Sequence, residues 1–472
     1  MKGKKRWDER PHTNPHGDPT AIMICRLAPT ETAVCVEWLD GKQDGKYILS
    51  WRPMFTAEGW TNCEVVGYEA VIDHLTPWRD YEICIARISG EKSRKRIFRT
   101  APVPGTVINY LHPHDTQYAF SGRALCSPSL VRLPSGKLLA SMDVYEGRGV
   151  QTLSLLFSSD DRGETWHYVC DLYPLFWGKL FWHRDRLYML GLSTEFGDVV
   201  IGASDDEGQT WTAPIHLFAG SNTLGEGWEQ SPMPVVVHNG RLYVSMEYAG
   251  RNIGRAPCVL STAEEECLLN PENWHASKPY TVDPTILGKA GTRVECFIEG
   301  NLFVSPDGDL RCMLRCDGEG FDVLDGKAPV LRVNESDPDA PMEFLEFISL
   351  PCGYGNKFMM QYDAVSGYYI AIGNLPTDPN CSQQRNIVAL FCSKDSVHWT
   401  TCCRLFDYEN EPANEVGLQY PSFLFDGDDI LLQLRMALNG ARNHHDANYS
   451  TFHVIKDFRR LLRSADFDLN KE

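Results

Sequence analysis

From Thr20 to Thr100 apolar and polar residues alternate in short runs: AVCVEWL, GKYILSWRP, CEVVGYEAVI, YEICIARI and KRIFRT. Each run is bounded by turn residues, at the spacing of about 8–12 residues that an all-β sandwich requires. Beyond this segment the pattern changes scale. A turn followed by an apolar strand occurs six times, as PSGKLLASM, HRDRLYMLG, HNGRLYVSM, PDGDLRCML, AVSGYYIAI and FDGDDILLQL. Another apolar strand precedes each, such as SLVRL, KLFW, PVVVH or NLFV. The recurrence, roughly 50–70 residues, leaves room for four strands per unit, and repeats of that length built from strands alone are propeller blades. No long amphipathic helical period competes. The fold class predicted is therefore all-β: a six-bladed β-propeller preceded by a small β-sandwich. The boundaries read are a polar N-terminal tail at 1–19, the sandwich at 20–101 and the propeller at 107–465, with APVPGT (101–106) as linker.

One octapeptide pattern, Ser-x-Asp-x-Gly-x-Thr-Trp, is written twice, in SSDDRGETW (158–166) and SDDEGQTW (204–211), and SKDSVHW (393–399) is a worn third copy. Each falls between the third and fourth strands of a predicted blade. The Asp carboxylate can accept from the amides of a tight turn, the Gly supplies positive φ, and the Trp packs between blades. These boxes are expected to be structural and not to carry chemistry.

Composition narrows the function classes. The chain of 472 residues has a formal charge of −18, which argues against nucleic acid or an anionic membrane as partner. No run of about 18 apolar residues could span a bilayer, and the basic, polar start has no apolar segment behind it, so a cytoplasmic location is expected. The 16 cysteines, without C-x-x-C pairs, read as free thiols, and no structural zinc or other cofactor is expected.

Two resemblances add to this. Trp51 in a third strand, with Leu75, Pro77 and Tyr81 in the pattern L-x-P-x-x-x-Y, resembles a fibronectin type III module over about 80 residues. From about residue 115 to 460, the boxes and the strand pattern resemble the sialidase superfamily of Asp-box (BNR-repeat) propellers. That resemblance implies an exo-acting glycoside hydrolase, and its mechanism-bearing positions can be matched singly. EGNLFVSPDGDLRCMLR matches the Glu and Arg of a middle blade, giving Glu299 and Arg315; QQRNIVALFCSKDSVHW supplies Arg385, and GLQYPSFLF supplies Tyr420. Two positions depart from the pattern. Cys126-Ser127-Pro128 stands where the family has Arg-Ile-Pro, so one arginine of the carboxylate-binding set is missing, and Arg123 is the nearby substitute. The acid of the first-blade loop has no clean counterpart: its place falls near Arg148, with Glu146 and Asp143 as the nearby carboxyls.

Physical reading of the propeller places the starts of inner strands and the loops after second strands on one face. That face would gather Glu146, Glu195, Glu229, Glu247, Arg251, Glu299, Arg315, Arg385, Tyr420 and the cluster ARNHHDANY, with Arg442, His444, His445, Asp446 and Tyr449. Adjacent His444 and His445 diverge on a strand and lack a third ligand, so contact with sugar hydroxyls is expected rather than a metal. By the resemblance, Tyr420 is the nucleophile and Glu299 its base, because a neutral phenol avoids the repulsion between an anionic nucleophile and a sugar carboxylate. Arg315 and Arg385 would grip that carboxylate, and Glu146 by preference, or Asp143, would protonate the leaving oxygen. Substrate contacts are further expected from Arg123, Glu229, His444, His445 and Asp446. The partner expected is a glycan or oligosaccharide ending in an acidic sugar, sialic acid first. A neutral or uronic sugar such as rhamnose, or carbohydrate binding without catalysis, are the alternatives that Cys126 and the unclear acid leave open. Oligomeric state is not legible.

Overall fold

The computed structural model describes residues 20–43, 45–146, 151–221 and 225–466. The 1–19 tail and the loop position Arg148 lie outside the described residues. The N-terminal segment folds into two facing sheets. One contains Ile22–Pro29, Val34–Asp40 and Glu69–Ile72; the other contains Thr61–Val66, Lys46–Pro53, Arg79–Arg87 and Arg96–Thr100. Their alternation buries Val34, Val36 and Trp38 from one sheet against Tyr47, Leu49, Ile83 and Ile85 from the other. The tryptophan at the centre is Trp38, its ring 5.5 Å from that of Tyr47, while Trp51 is only half-buried. The Tyr81 hydroxyl accepts the Thr76 amide at 3.0 Å, tying a loop to the sheet.

The remaining chain forms six sheets arranged as propeller blades, each an antiparallel meander. Blade one runs Ala124–Arg132, Leu138–Tyr145, Leu153–Ser159, His167–Leu172, and blade two begins at Phe176–His183. Blade three starts with Gly227–Glu229 and Val236–His238, both pairing with Arg241–Gly250. The inner strands of blades four, five and six are Arg293–Val304, Phe358–Asp363 and Gly417–Asp426. The outermost strand of blade six comes from the other end of the chain. Thr106–Tyr110 pairs with Tyr449–Ile455, so the first residues read as propeller, with Thr106 of the linker, close the ring.

That closure also seats the sandwich. Arg26 donates from Nε to the Ile108 carbonyl at 2.7 Å and from Nη2 to the Val107 carbonyl at 3.1 Å, and pairs with Glu37 at 2.7 Å. Glu37 in turn accepts the Tyr168 amide of blade one at 2.9 Å. Arg96 and Asp115, both inaccessible, form a second ion pair across the seam. Buried charges hold only when paired and hydrogen-bonded, so these contacts fix one docking geometry.

The repeated octapeptides close the hairpins between third and fourth strands. In the first, Ser159 Oγ accepts the Gly163 amide at 2.8 Å and Asp161 Oδ1 accepts the Thr165 amide at 2.9 Å; in the second, Ser204, Gly208, Asp206 and Thr210 make the same contacts at 2.8 and 2.7 Å. Trp166 packs edge-on against Phe452 of blade six, and Trp211 against Leu139 and Leu156 of blade one. The boxes staple neighbouring blades together.

Candidate active site

Four of the six inner strands enter the channel with a kink, and the kinks build the site. In blades one, two, four and six the strand pairing slips by a bulge, and the residue at the bulge has positive φ: Ser127 (51°), Trp177 (53°), Glu299 (58°) and Tyr420 (56°). A non-glycine residue there costs about 1–2 kcal/mol, so surrounding contacts must enforce it. In blade four Gly300 permits the kink: a Cβ would lie 2.3 Å from Ser245 Oγ and 2.4 Å from Cys312 Sγ.

The residue just before the bulge faces an equivalent position on the second strand: Cys126 faces Asp143, Ile298 faces Arg315, and Gln419 faces Arg435. In blade three Glu229 faces Glu247. Two of these second-strand carboxyls reach forward to the next blade. Asp143 Oδ2 accepts the Trp177 amide at 2.7 Å, and Glu247 Oε1 accepts the Glu299 amide at 2.6 Å. Each therefore clamps the strained bulge of its neighbour. Asp143 also takes the Ser154 hydroxyl, and burial lifts its carboxyl to about 7. Both of its oxygens are engaged in this way, Oδ1 by Ser154 and Oδ2 by the Trp177 amide.

Around the bulges of blades four and six the key side chains converge. Arg315 Nη1 lies 3.2 Å from Glu299 Oε2 and 3.5 Å from the Tyr420 hydroxyl. Arg435 stacks over the Tyr420 ring, its guanidinium carbon 3.9 Å from the ring centre, and Arg385 lies 5.8 Å away on the same ring. Lys357 Nζ is 5.5 Å from it. Glu299, Arg315, Arg385 and Arg435 are all at most 7% exposed, whereas Tyr420 keeps partial access to solvent. The phenol is the reachable member of the set.

The electrostatics follow from this crowding. Burial, with the charge of Glu299, raises the Tyr420 phenol, against the pull of Arg315, Arg435 and Arg385. Burial, reinforced by Arg315 and Arg435, brings Arg385 down to about 10. Burial likewise brings Lys357 down to about 7. Arg315 behaves differently: despite burial, Glu299 and Asp317 hold it firmly charged. Asp317 takes its fork, Nε to Oδ1 at 2.8 Å and Nη2 to Oδ2 at 2.7 Å. Only Nη1 is left toward the site, so Arg315 does not present the bidentate edge expected of it. Arg385 binds Asn356 Oδ1 at 3.2 Å and Gln419 Oε1, which Arg435 Nη2 approaches at 3.4 Å.

Gln419 is the hub. Its Nε2 donates to the His444 and His445 carbonyls at 2.7 and 2.9 Å, linking the arginines to the 443–446 loop. His445 pairs with Asp446 at 3.0 Å; burial and Arg435 lower its imidazole to about 4, so it stays neutral. Glu229 and Arg255 Nε lie 2.9 Å apart, and burial raises the Glu229 carboxyl to about 7. Burial raises the Glu247 carboxyl as well. Glu146 stands at the edge of its loop, 3.9 Å from Arg442. Arg123 is exposed and, among the described residues, its side chain joins none of these contacts. Arg435 brings a third guanidinium to the Tyr420 ring and is close enough to Cys126 to act on its thiol.

Sequence reading missed Arg435, although a signal was present. Arg315 follows Glu299 by sixteen residues and Arg435 follows Tyr420 by fifteen, across the same hairpin geometry. Among the described residues, the groups close enough to share a cation are Glu37, Glu69 and His167. They lie at the sandwich seam, where Arg26 and the Tyr168 amide already hold Glu37.

No family model matches the chain, and no curated protein matches it significantly. Solved structures do. An α-L-arabinanase from Penicillium chrysogenum complexed with arabinobiose is similar at 17% identity, TM-score 0.48, over 75% of this chain and 98% of that one. A Hadza microbial sialidase is similar at 12% identity, TM-score 0.44, over 93% and 94%. Trypanosoma rangeli sialidase, in complex with 2,3-difluorosialic acid as a covalent intermediate, is similar at 13% identity, TM-score 0.48, over 81% and 58%.

Proposed function

We propose that this chain is an exo-acting glycoside hydrolase that releases a terminal acidic sugar, sialic acid first, from glycans or oligosaccharides. The observation that carries the reading is Tyr420, which keeps a little access to solvent, its ring and phenol approached by Arg315, Arg385 and Arg435, with Glu299 on the same Arg315 nitrogen. A cationic surround of this kind favours a carboxylate beside the reacting carbon. In the reaction, the Tyr420 oxygen attacks the anomeric carbon while Glu299 receives its proton. The bond to the leaving oxygen breaks as that oxygen takes a proton from a carboxyl. Water then releases the sugar from the tyrosine, giving its proton back to the carboxylate that had protonated the leaving oxygen, and the proton held by Glu299 returns to the phenol.

Arg385 and Arg435 are assigned the substrate carboxylate, since Asp317 occupies the fork of Arg315. Glu229, held at about 7, carries a proton near neutrality and is assigned the acid role that Glu146 would take from the loop side. The Ser-x-Asp-x-Gly-x-Thr-Trp turns are read as Asp boxes, and the sandwich, with its tied-down Tyr81, as a fibronectin type III-like module.

A second reading has its own support. With Cys126 in place of an arginine and Arg315 committed to Asp317, a neutral or uronic sugar fits a less demanding cationic site. A panel of fluorogenic sialoside, glucuronide, rhamnoside and arabinofuranoside decides between them. Release from the sialoside alone is expected. Release from a neutral glycoside would overturn the acidic-sugar reading, and binding without any release would overturn hydrolysis.

A further inference from the structure

The channel has a second mouth. Beyond the bulges the inner strands continue toward their hairpins, and in blade six Phe423 lies three residues of strand, about 10 Å, past Tyr420. There they enclose a cavity of about 580 Å³ lined from all six blades. Its wall is largely apolar, with Leu180, Pro234, Leu302, Phe303, Met360 and Phe423. One residue breaks this pattern. Lys179 lines the same cavity, is 6% exposed, and has no hydrogen-bond or ion-pair partner among the described residues.

An ammonium taken out of water without a counter-charge costs several kcal/mol, and buried lysines are normally paired. Lys179 has a near neighbour of the same sign. Lys357, 1% exposed and feeling its charge, lies further up the channel, where Nζ donates to the Pro421 carbonyl at 3.1 Å. Burial lowers Lys179 to about 8, so it remains largely charged near neutrality. A cationic floor in an apolar chamber of ligand size is a complement to a molecule with one anionic end and an apolar body.

We propose that this end of the channel is a second binding site, separate from the Tyr420 cluster, for a small organic anion with an apolar body such as an aliphatic carboxylate. Lys179 holds the anionic end, and the six inner strands cover the chain. The proposal does not depend on the glycosidase reading.

Octanoate and octan-1-ol, which share a chain and differ in charge, are the probes for titration calorimetry with the full-length protein. Octanoate should bind wild type at least tenfold more tightly than octanol. Lys179→Met should abolish that preference and leave octanol binding unchanged. This variant should fold, because it replaces an unpaired buried ammonium by an apolar group of similar length; a melting temperature at or above wild type would establish that. Arg385→Met, which alters the other mouth, should leave octanoate binding intact. Equal binding of the two probes to wild type would overturn the proposal. So would octanoate binding that survives Lys179→Met, or that disappears in Arg385→Met.

Discussion

Replacing Arg435 by Met removes a charge while keeping most of the buried volume. The guanidinium carbon lies 3.9 Å from the centre of the Tyr420 ring. It is therefore roughly 5 Å from the phenol oxygen, where a unit charge is worth about 3 kcal/mol at an effective dielectric of about 20. That corresponds to about 2 pKa units on the phenol, of which roughly half is felt at a transition state with partial proton transfer. Losing a charged hydrogen bond to the substrate carboxylate adds about 1.5–3 kcal/mol. Together, about 3–4.5 kcal/mol, these predict that kcat/KM for a fluorogenic sialoside falls roughly 100- to 1,000-fold, at about 1.4 kcal/mol per factor of ten. The fold should survive, since Arg435 Nε is buried without a hydrogen-bond partner and an apolar replacement removes that cost. His445 supplies an internal check. Arg435 helps hold its imidazole at about 4, so Arg435→Met should move the His445 NMR titration upward. Activity within threefold of wild type, with the His445 shift present, would refute the role given to this guanidinium.

Three further outcomes are expected. Glu247 positions the Glu299 bulge by accepting its amide; Glu247→Gln keeps an acceptor and should retain activity within about tenfold, whereas Glu247→Ala should lower kcat by about 100-fold with KM little changed. If Glu229 donates the leaving-group proton, kcat/KM falls as pH rises through about 7, and Glu229→Gln abolishes that limb while Glu146→Gln preserves it, as a pH–rate profile of each variant would reveal. Away from the site, Arg459 grips Asp363 through two contacts of 2.7 Å; against the effect of burial, this lowers the Asp363 carboxyl to about 2. A depressed carboxyl contributes stability above its unfolded pKa and loses it as pH falls, so Arg459→Met should cost about 1–2 kcal/mol at pH 7 in urea unfolding, shrinking toward pH 2.

The blades were legible because their signals are local. The hairpin turns and the Ser-x-Asp-x-Gly-x-Thr-Trp boxes are contiguous, and their hydrogen bonds join residues at most four apart. Glu299, Arg315, Arg385 and Tyr420 were named from their place in that pattern, and they do converge on one ring. What escaped the sequence depends on contacts between blades. Asp143 is a carboxyl on the expected rim, but its contact with the Trp177 amide of the next blade is not visible in the strand pattern. Arg435, on blade six, comes near Cys126 of the adjoining blade one, a proximity that only closure of the ring brings about. The propeller was read as starting at 107, but that Thr106–Tyr110 completes blade six was not legible, because its partner, Tyr449–Ile455, lies more than 300 residues away. The fork of Arg315 was assigned to substrate because nothing in the strand pattern signals that Asp317, two residues on, would occupy it.

The most direct measurement of the central claim is a covalent one. Wild-type protein and Tyr420→Phe are incubated with a fluorinated sialic acid that lets the glycosyl-enzyme accumulate, then measured as intact masses and as peptides. The account predicts a single added sugar in the wild type, mapped to the tyrosine in GLQYPSFLF, and none in Tyr420→Phe. An adduct on a carboxylate, or sialoside turnover in Tyr420→Phe at the wild-type rate, would contradict it.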